Sequence, residues 1–418
     1  MRKVHVIGAG LAGLSAAVRL AQAGVDVVVH EQTSHAGGRA RSFHDAALDA
    51  VVDNGNHLLL SGNRSALDFL SLINAGDRLT GPAGARFDFF DLETSDRWSV
   101  DLTRGPVPLW VLYKDRRVPG TTMGDYLKGL KLLTAGNRSV AKLFGGQGQI
   151  YRRFWEPFAV AVLNTPADEA VARLLMPVIR ETLAKGAEAS RPLIARKGLS
   201  DTFADPALKW LARRGAEIRF NDRVSTLHRD RRRVISLLTG SGKETLGPDD
   251  AVVLAVPPWS ASELMDDIQT PREFAPIVNI HFRLPTGTRT GLTSPLLGMV
   301  GSVSHWIFAR DDVISVTVSA AHDLAQQSSE QIAETVWAEV SEALNMSGLP
   351  LPKVRIIKER RATFVATPEQ LARRPACTTS SHNLVLAGDW TDTGLPATIE
   401  GAIRSGEVAS ETLRKGFS

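Results

Sequence analysis

The 418-residue chain has a single cysteine, Cys377, so neither a disulfide framework nor a cysteine-built metal module is available to it. A reducing compartment fits that scarcity, and a cytoplasmic protein is expected. No run of 18 apolar residues occurs, so no membrane-spanning helix is expected. The chain opens Met-Arg-Lys and turns apolar, but Gly8, Gly10 and Gly13 interrupt the run, which argues against a secretory signal. Aromatic residues make up only 6%. Lys and Arg exceed Asp and Glu by four, 49 against 45, too slight an excess for a nucleic-acid partner. The run from Arg229 to Arg233 reads as a solvated hairpin rather than an RNA site. The ten histidines show neither HxH nor HExxH spacing, and no metal site is expected.

What is present is an ordinary globular composition, 43% hydrophobic and 22% charged, long enough for two or three domains. Val4–Ile7 reads as a strand, Leu11–Ala23 as a helix and Val25–His30 as a second strand, a β-α-β unit opening a doubly wound sheet. Phe87–Leu92 and Arg97–Leu102 read as paired strands. Between about 104 and 190 helical patterns dominate, at Met123–Leu133, Phe154–Leu163 and Asp168–Ala184. Mixed α/β character returns over 201–256. Strands of a second sheet follow at 276–284, 303–309, 313–319 and 353–366, with a helix at 329–346. A last strand, Asn383–Ala387, precedes a last helix, Thr398–Arg414. The expected fold is an α/β (α+β composite): a Rossmann-like unit from 1–103, 196–258 and 376–418, a helical region 104–195, and a substrate-binding sheet domain 259–375.

The chemistry-bearing motifs lie at the two ends. Gly8-Ala9-Gly10-Leu11-Ala12-Gly13 follows a strand and opens a helix, and Glu31 stands 18 residues after Gly13 at the end of the second strand. In that setting the glycines admit a tight turn and a pyrophosphate, the helix start donates to phosphates, and Glu31 suits an adenosine ribose. Gly37-Gly38-Arg39 comes six residues later; Arg39 can pair with a phosphate, and the placement favours FAD over a nicotinamide nucleotide. Near the other end, Gly388-Asp389-Trp390 follows an apolar strand, where Asp389 can accept from ribityl hydroxyls. Thr398 and Ile399 open a helix whose first N–H groups can hold the pyrimidine edge of a flavin.

GxGxxG, GGR and a C-terminal GD together resemble the flavin amine oxidase and phytoene desaturase superfamily. The middle segment Gly215–Val224 also matches, and there the resemblance implies that Val224 meets the adenine. The segments Phe154–Thr165 and Gly388–Ala402 further resemble the squalene-associated FAD-dependent desaturases, or hydroxysqualene dehydroxylases, of bacterial hopanoid biosynthesis. That resemblance implies FAD and reduction of hydroxysqualene to squalene, and because Cys377 stands in no attachment context the FAD is expected to be noncovalent. It leaves two alternatives: a carotenoid-type desaturase running the hydride the other way, and a non-redox prenyl carrier of the same fold.

A dehydroxylation calls for a proton donor to the departing hydroxyl and aromatic faces for an allylic cation. Asp53–His57 resembles the superfamily segment beside the flavin, which makes Asn56 a cofactor contact and His57 a candidate acid; Asp392 is the second candidate. Trp155, Phe158, Trp259, Phe282, Trp306, Phe308 and Trp390 can line a tunnel, with Trp155 and Trp390 the preferred substrate contacts. Val107–Tyr113 and Leu127–Phe144, apolar and interspersed with Lys and Arg, suit the surface of a cytoplasmic membrane, from whose inner face an isoprenoid would arrive. No second GxGxxG occurs, so an outside electron donor is expected as a partner.

Overall fold

The computed structural model describes residues 2–416. Five short strands form a parallel sheet in the order Glu217–Arg219, Asp26–His30, Lys3–Ile7, Ala251–Leu254, Leu384–Leu386. Apart from the edge strand Glu217–Arg219 and the first residues Lys3 and Asp26, their side chains are buried on both faces, as a parallel sheet covered by helices requires. On one face the helices Leu11–Gln22 and Ile399–Gly416 pack together, with Val4, Leu14, Phe69 and Ile403 in a shared core. Gly406 makes this crossing possible: a Cβ there would lie 2.2 Å from the carbonyl oxygen of Ala12. Ser15 Oγ donates to Ile403 O at 2.7 Å across the same contact.

The second sheet has seven strands, in the order Lys353–Phe364, Phe274–Arg283, Val313–Val318, Trp306–Arg310, Leu296–Val300, Arg86–Asp91, Arg97–Asp101. All neighbours are antiparallel except Leu296–Val300 with Arg86–Asp91. The capped helix Ser329–Ala343 covers one face through Ile332, Val336 and Val340. This topology corrects one boundary. Residues 86–101 were grouped by sequence with the 1–103 unit, but they hydrogen-bond into the second sheet, and their apolar side chains complete its core.

The region 104–195 is less helical than its composition suggests. Met123–Leu127 continues only as a 3-10 turn over Lys128–Thr134, and Glu156–Leu163 follows a π-turn at Tyr151–Trp155. The expected helix Asp168–Ala184 shrinks to Leu175–Glu181, because its first half makes other bonds: Val140 N donates to Ala170 O and Val171 N to Ala366 O. Pro192–Ala195 is a strand that pairs with Leu59–Leu60 and Leu79–Thr80.

Candidate active site

The first strand ends at Gly8, whose φ of +106° turns the chain toward the helix; a Cβ there would lie 2.6 Å from Ala255 O. At Gly13 a Cβ would sit 1.9 Å from Gly8 O, so the helix can approach the strand only without a side chain. Gly10 has open space where its Cβ would be, and with Ala12 it borders a cavity of about 1000 Å³. Glu31 is buried with both oxygens engaged: Oε2 accepts from Ala9 N and Oε1 from Thr33 N, each at 2.9 Å. Gly37 N donates to Ala9 O, bringing Gly38 against Gly10. Glu31, Gly38 and Val224 all face the same cavity.

The C-terminal motif closes the cavity from the other side of the chain. Sequence reasoning gave Arg39 and Asp389 separate ligands; the structure joins them in an ion pair at 2.6 Å. Arg39 also donates to Ala362 O. Buried Arg374, which the sequence did not single out, donates to Thr391 O and, at 3.4 Å, to Asp389 O, so it fixes the turn that carries Asp389. Its signal was only a basic residue in a loop. Trp390 borders the cavity but is locked, its indole donating to Val256 O at 3.0 Å and its ring packed over Gly388. Thr398 Oγ1 accepts from Gly401 N at 3.1 Å and caps the last helix, leaving the earliest N–H groups of that helix without helical acceptors beside the cavity. Glu400 turns away to accept from Ser65 N and Ala66 N at 3.0 and 2.9 Å and from Arg404 at 2.8 Å, capping helix Arg64–Leu72.

Between these two ends lies a polar wall. Asn279 Nδ2 donates to Asn54 O at 3.2 Å, Thr317 Oγ1 to Asn279 Oδ1 at 2.8 Å, and Asn56 Nδ2 to Thr317 Oγ1 at 3.0 Å. Asn54 Nδ2 reaches both Arg39 O at 3.4 Å and Glu359 Oε2 at 3.3 Å. His57 faces the cavity with no hydrogen-bond partner among the described residues. Burial lowers its pKa to about 4, which favours the neutral ring near neutrality. The other candidate acid is corrected outright. Asp392 is exposed, lies outside the cavity and accepts from Gly394 N as a turn residue.

Beyond this wall the cavity is apolar. Trp155 is buried, stacked on Phe144 with centroids 4.1 Å apart, and its indole N–H has no partner among the described residues. Phe158, Trp259, Trp306 and Phe308 also face the cavity. Phe282 does not: it is fully buried against Trp337 in the core of the second sheet, because its strand turns that side chain to the other face. The cavity reaches Met123, Leu127, Leu130 and Leu133, which are 51%, 65%, 63% and 71% exposed. Beside them, Val107, Leu109, Leu112 and Tyr113 are exposed too, among exposed Lys114, Lys128, Lys131 and Lys142. Among the described residues no helix is long and apolar enough to cross a membrane.

Sequence spacing missed one clustering of donor atoms. His5, His30 and Glu244 bring donors within 4.8 Å of one another. They are committed to protein partners: His5 Nδ1 lies 3.1 Å from His30 Nε2, His30 Nδ1 2.7 Å from Asp222, and Glu244 2.5 Å from Arg219.

Comparison with known proteins places this geometry. Residues 11–414 match the family of flavin containing amine oxidoreductases. The chain is 46% identical to the hydroxysqualene dehydroxylase of Sinorhizobium fredii, over 98% of each protein. It is 46% identical to that of Rhodopseudomonas palustris, over 99% of this chain and 98% of the relative. A 15-cis-phytoene desaturase of Synechococcus elongatus is 24% identical over 98% of this chain and 95% of its own. Among solved structures, cyclohexylamine oxidase of Brevibacterium oxydans superimposes with a TM-score of 0.75 at 14% identity, over 99% of both chains, a likeness of fold.

Proposed function

We propose that this chain, which belongs to the flavin containing amine oxidoreductases and within them to the hydroxysqualene dehydroxylases, uses FAD to reduce hydroxysqualene to squalene. It is a flavin-dependent oxidoreductase by that membership. The observation that carries the finer reading is the single cavity that joins a dinucleotide cradle, a polar wall and an aromatic tunnel opening among exposed leucines.

The residues present fit FAD. Glu31 and Val224 border the adenosine end; Gly8, Gly10, Ala12 and Gly38 border the phosphate stretch, and Gly13 lets the helix approach the strand there. Arg39, Asp389, Thr398 and Ile399 border the flavin end, with Asn56 on the adjoining wall. No cysteine stands in the cavity, which suits noncovalent binding. Bound and reduced, FAD supplies the hydride that the reaction needs. The protein's own part is to place the allylic carbon, keep water out and manage one proton. The wall of Asn56, Asn279 and Thr317 fixes the hydroxyl end of the substrate, His57 offers it a neutral imidazole, and Trp155, Trp306 and Phe308 present faces to developing positive charge.

The substrate partitions into lipid, and the mouth suits that origin. Leu127, Leu130 and Leu133 insert at the bilayer boundary while Lys114, Lys128 and Lys131 meet anionic headgroups, holding the protein on the inner face of a cytoplasmic membrane. Electrons reach the flavin from a donor outside the chain. The test is direct: reduce the FAD-loaded protein anaerobically, add hydroxysqualene, and follow flavin absorbance with product extraction. Squalene formed in step with reoxidation supports the reading. A flavin that stays reduced with no squalene overturns it and turns attention to carotenoid precursors, on which the more distant relatives act by name.

A further inference from the structure

We infer that Glu359 is the acid that protonates the departing hydroxyl, an assignment that rests on the dehydroxylase reading. Seven carboxylates border the cavity, and six are committed elsewhere. Glu31 is saturated by Ala9 N and the amide and hydroxyl of Thr33. Glu181 holds Arg404 through both oxygens, at 3.0 and 2.6 Å. Asp222 receives His30 at 2.7 Å and Ser241 at 2.9 Å. Glu263 stands 64% exposed facing Arg223, Asp389 is paired with Arg39, and Glu400 caps a helix. Glu359 has one partner, the neutral amide of Asn54 on Oε2, and Oε1 has none among the described residues. Among the described residues it makes no direct ion pair, although its charge reaches the Arg39 guanidinium through space.

Its position is the one the chemistry needs. Asn54 bridges Glu359 to the backbone of Arg39, and Arg39 binds both Asp389 and the carbonyl of Ala362, three residues along the strand from Glu359. Glu359 is therefore tied to the flavin end of the cavity. Its cross-strand neighbour Ile277 faces the cavity beside it, on the side of Asn279. A hydroxyl held by the asparagine wall is then within reach of a carboxyl and, on its carbon, of the flavin.

The step balances. The C–O bond breaks with its electron pair on oxygen, the Glu359 proton joins that oxygen, and water leaves. The allylic carbon accepts hydride, so the substrate gains two electrons as the reduced cofactor loses two. Glu359 regains its proton from solvent.

Glu359→Gln keeps the hydrogen bond to Asn54 and removes the acid. We expect it to hold FAD in wild-type stoichiometry, and hydroxysqualene to perturb its oxidised flavin spectrum as in wild type. Single-turnover reoxidation should slow by about 10²–10⁴-fold, the usual contribution of a positioned acid. The wild-type rate should fall with rising pH along a limb that the Gln variant lacks. Glu359→Asp, which retains a carboxyl, should recover part of the rate; it also decides the matter if the Gln variant fails to fold, since an Asp variant no faster than Glu359→Ala overturns the assignment. A Gln variant within about threefold of wild type overturns it as well, because a general acid contributes far more. Loss of FAD from a folded Gln variant overturns it too, making Glu359 a cofactor ligand. A wild-type enzyme that yields no squalene sinks the dehydroxylase reading instead.

Discussion

Replacing Leu127, Leu130 and Leu133 together by serine should release the protein from lipid while leaving its fold intact. The three side chains are 65%, 63% and 71% exposed, so nearly two-thirds of each is free to enter a bilayer. Full burial of a leucine side chain stabilises by about 1.5–3 kcal/mol, so these contribute roughly 1–2 kcal/mol each and about 3–6 together. With a decade in partitioning for about every 1.4 kcal/mol, the triple variant should bind vesicles some 10²–10⁴-fold more weakly. Because these side chains face outward, folded stability should change by no more than about 0.5 kcal/mol per site. The assay is co-sedimentation with phosphatidylcholine–phosphatidylglycerol vesicles, with a thermal melt as the folding control. The loss should persist at high salt, where any lysine contribution is screened. A triple variant that melts like wild type yet sediments with vesicles within about threefold of it would refute the reasoning, since exposed apolar area would then not be what holds the protein.

Other consequences are checked as readily. Gly13→Ala sets a methyl 1.9 Å from Gly8 O, so the variant should purify without bound flavin or fail to fold; a yellow, stable Gly13→Ala protein would contradict the cradle geometry. Glu400→Gln removes the charge that caps helix Arg64–Leu72 and pairs with Arg404, and should cost about 3 kcal/mol in denaturant unfolding. Burial holds His5, His57, His281 and His305 near pKa 4, below the ordinary value of 6.5. The unfolded chain therefore takes up protons first as pH falls. Stability should be full above pH 6.5 and decline from there to about pH 4, by at most about 1.4 kcal/mol per pH unit for each histidine. A melting temperature flat between pH 7 and 4.5 would count against that burial.

How much of this was legible in the sequence depends on how local the determinant is. The Gly8–Gly13 turn and Glu31 are set within one β-α-β unit, where spacing alone implies geometry. The pairing of Arg39 with Asp389 joins positions 350 residues apart, and only the folded sheet order, which sets the last strand two places from the first, brings them together. Asp392 looked promising because it follows Asp389 closely, yet the turn after Trp390 carries it outward to Gly394. Glu359 was hidden for the opposite reason. It sits among Arg355, Lys358, Arg360 and Arg361 on the edge strand of the second sheet, a pattern that normally marks a solvated edge guarded by charge. Only the placement of the cavity along that edge separates it from its neighbours. Residues 86–101 failed similarly: a hairpin pattern is local, but the sheet it joins is settled by the strand Leu296–Val300, some 200 residues later.

The close crossing of helices Leu11–Gln22 and Ile399–Gly416 also bears on how the enzyme is made. During synthesis the Gly8–Gly13 turn emerges early, while Asp389 and the last helix emerge only after nearly all the rest. Until then the apolar flank of the first helix, which includes Ala12 and Ala16, lies open, and the C-terminal part of the cavity wall has yet to be made. A chain stopped short of Gly406 would leave that helix face uncovered and the cavity wall unfinished.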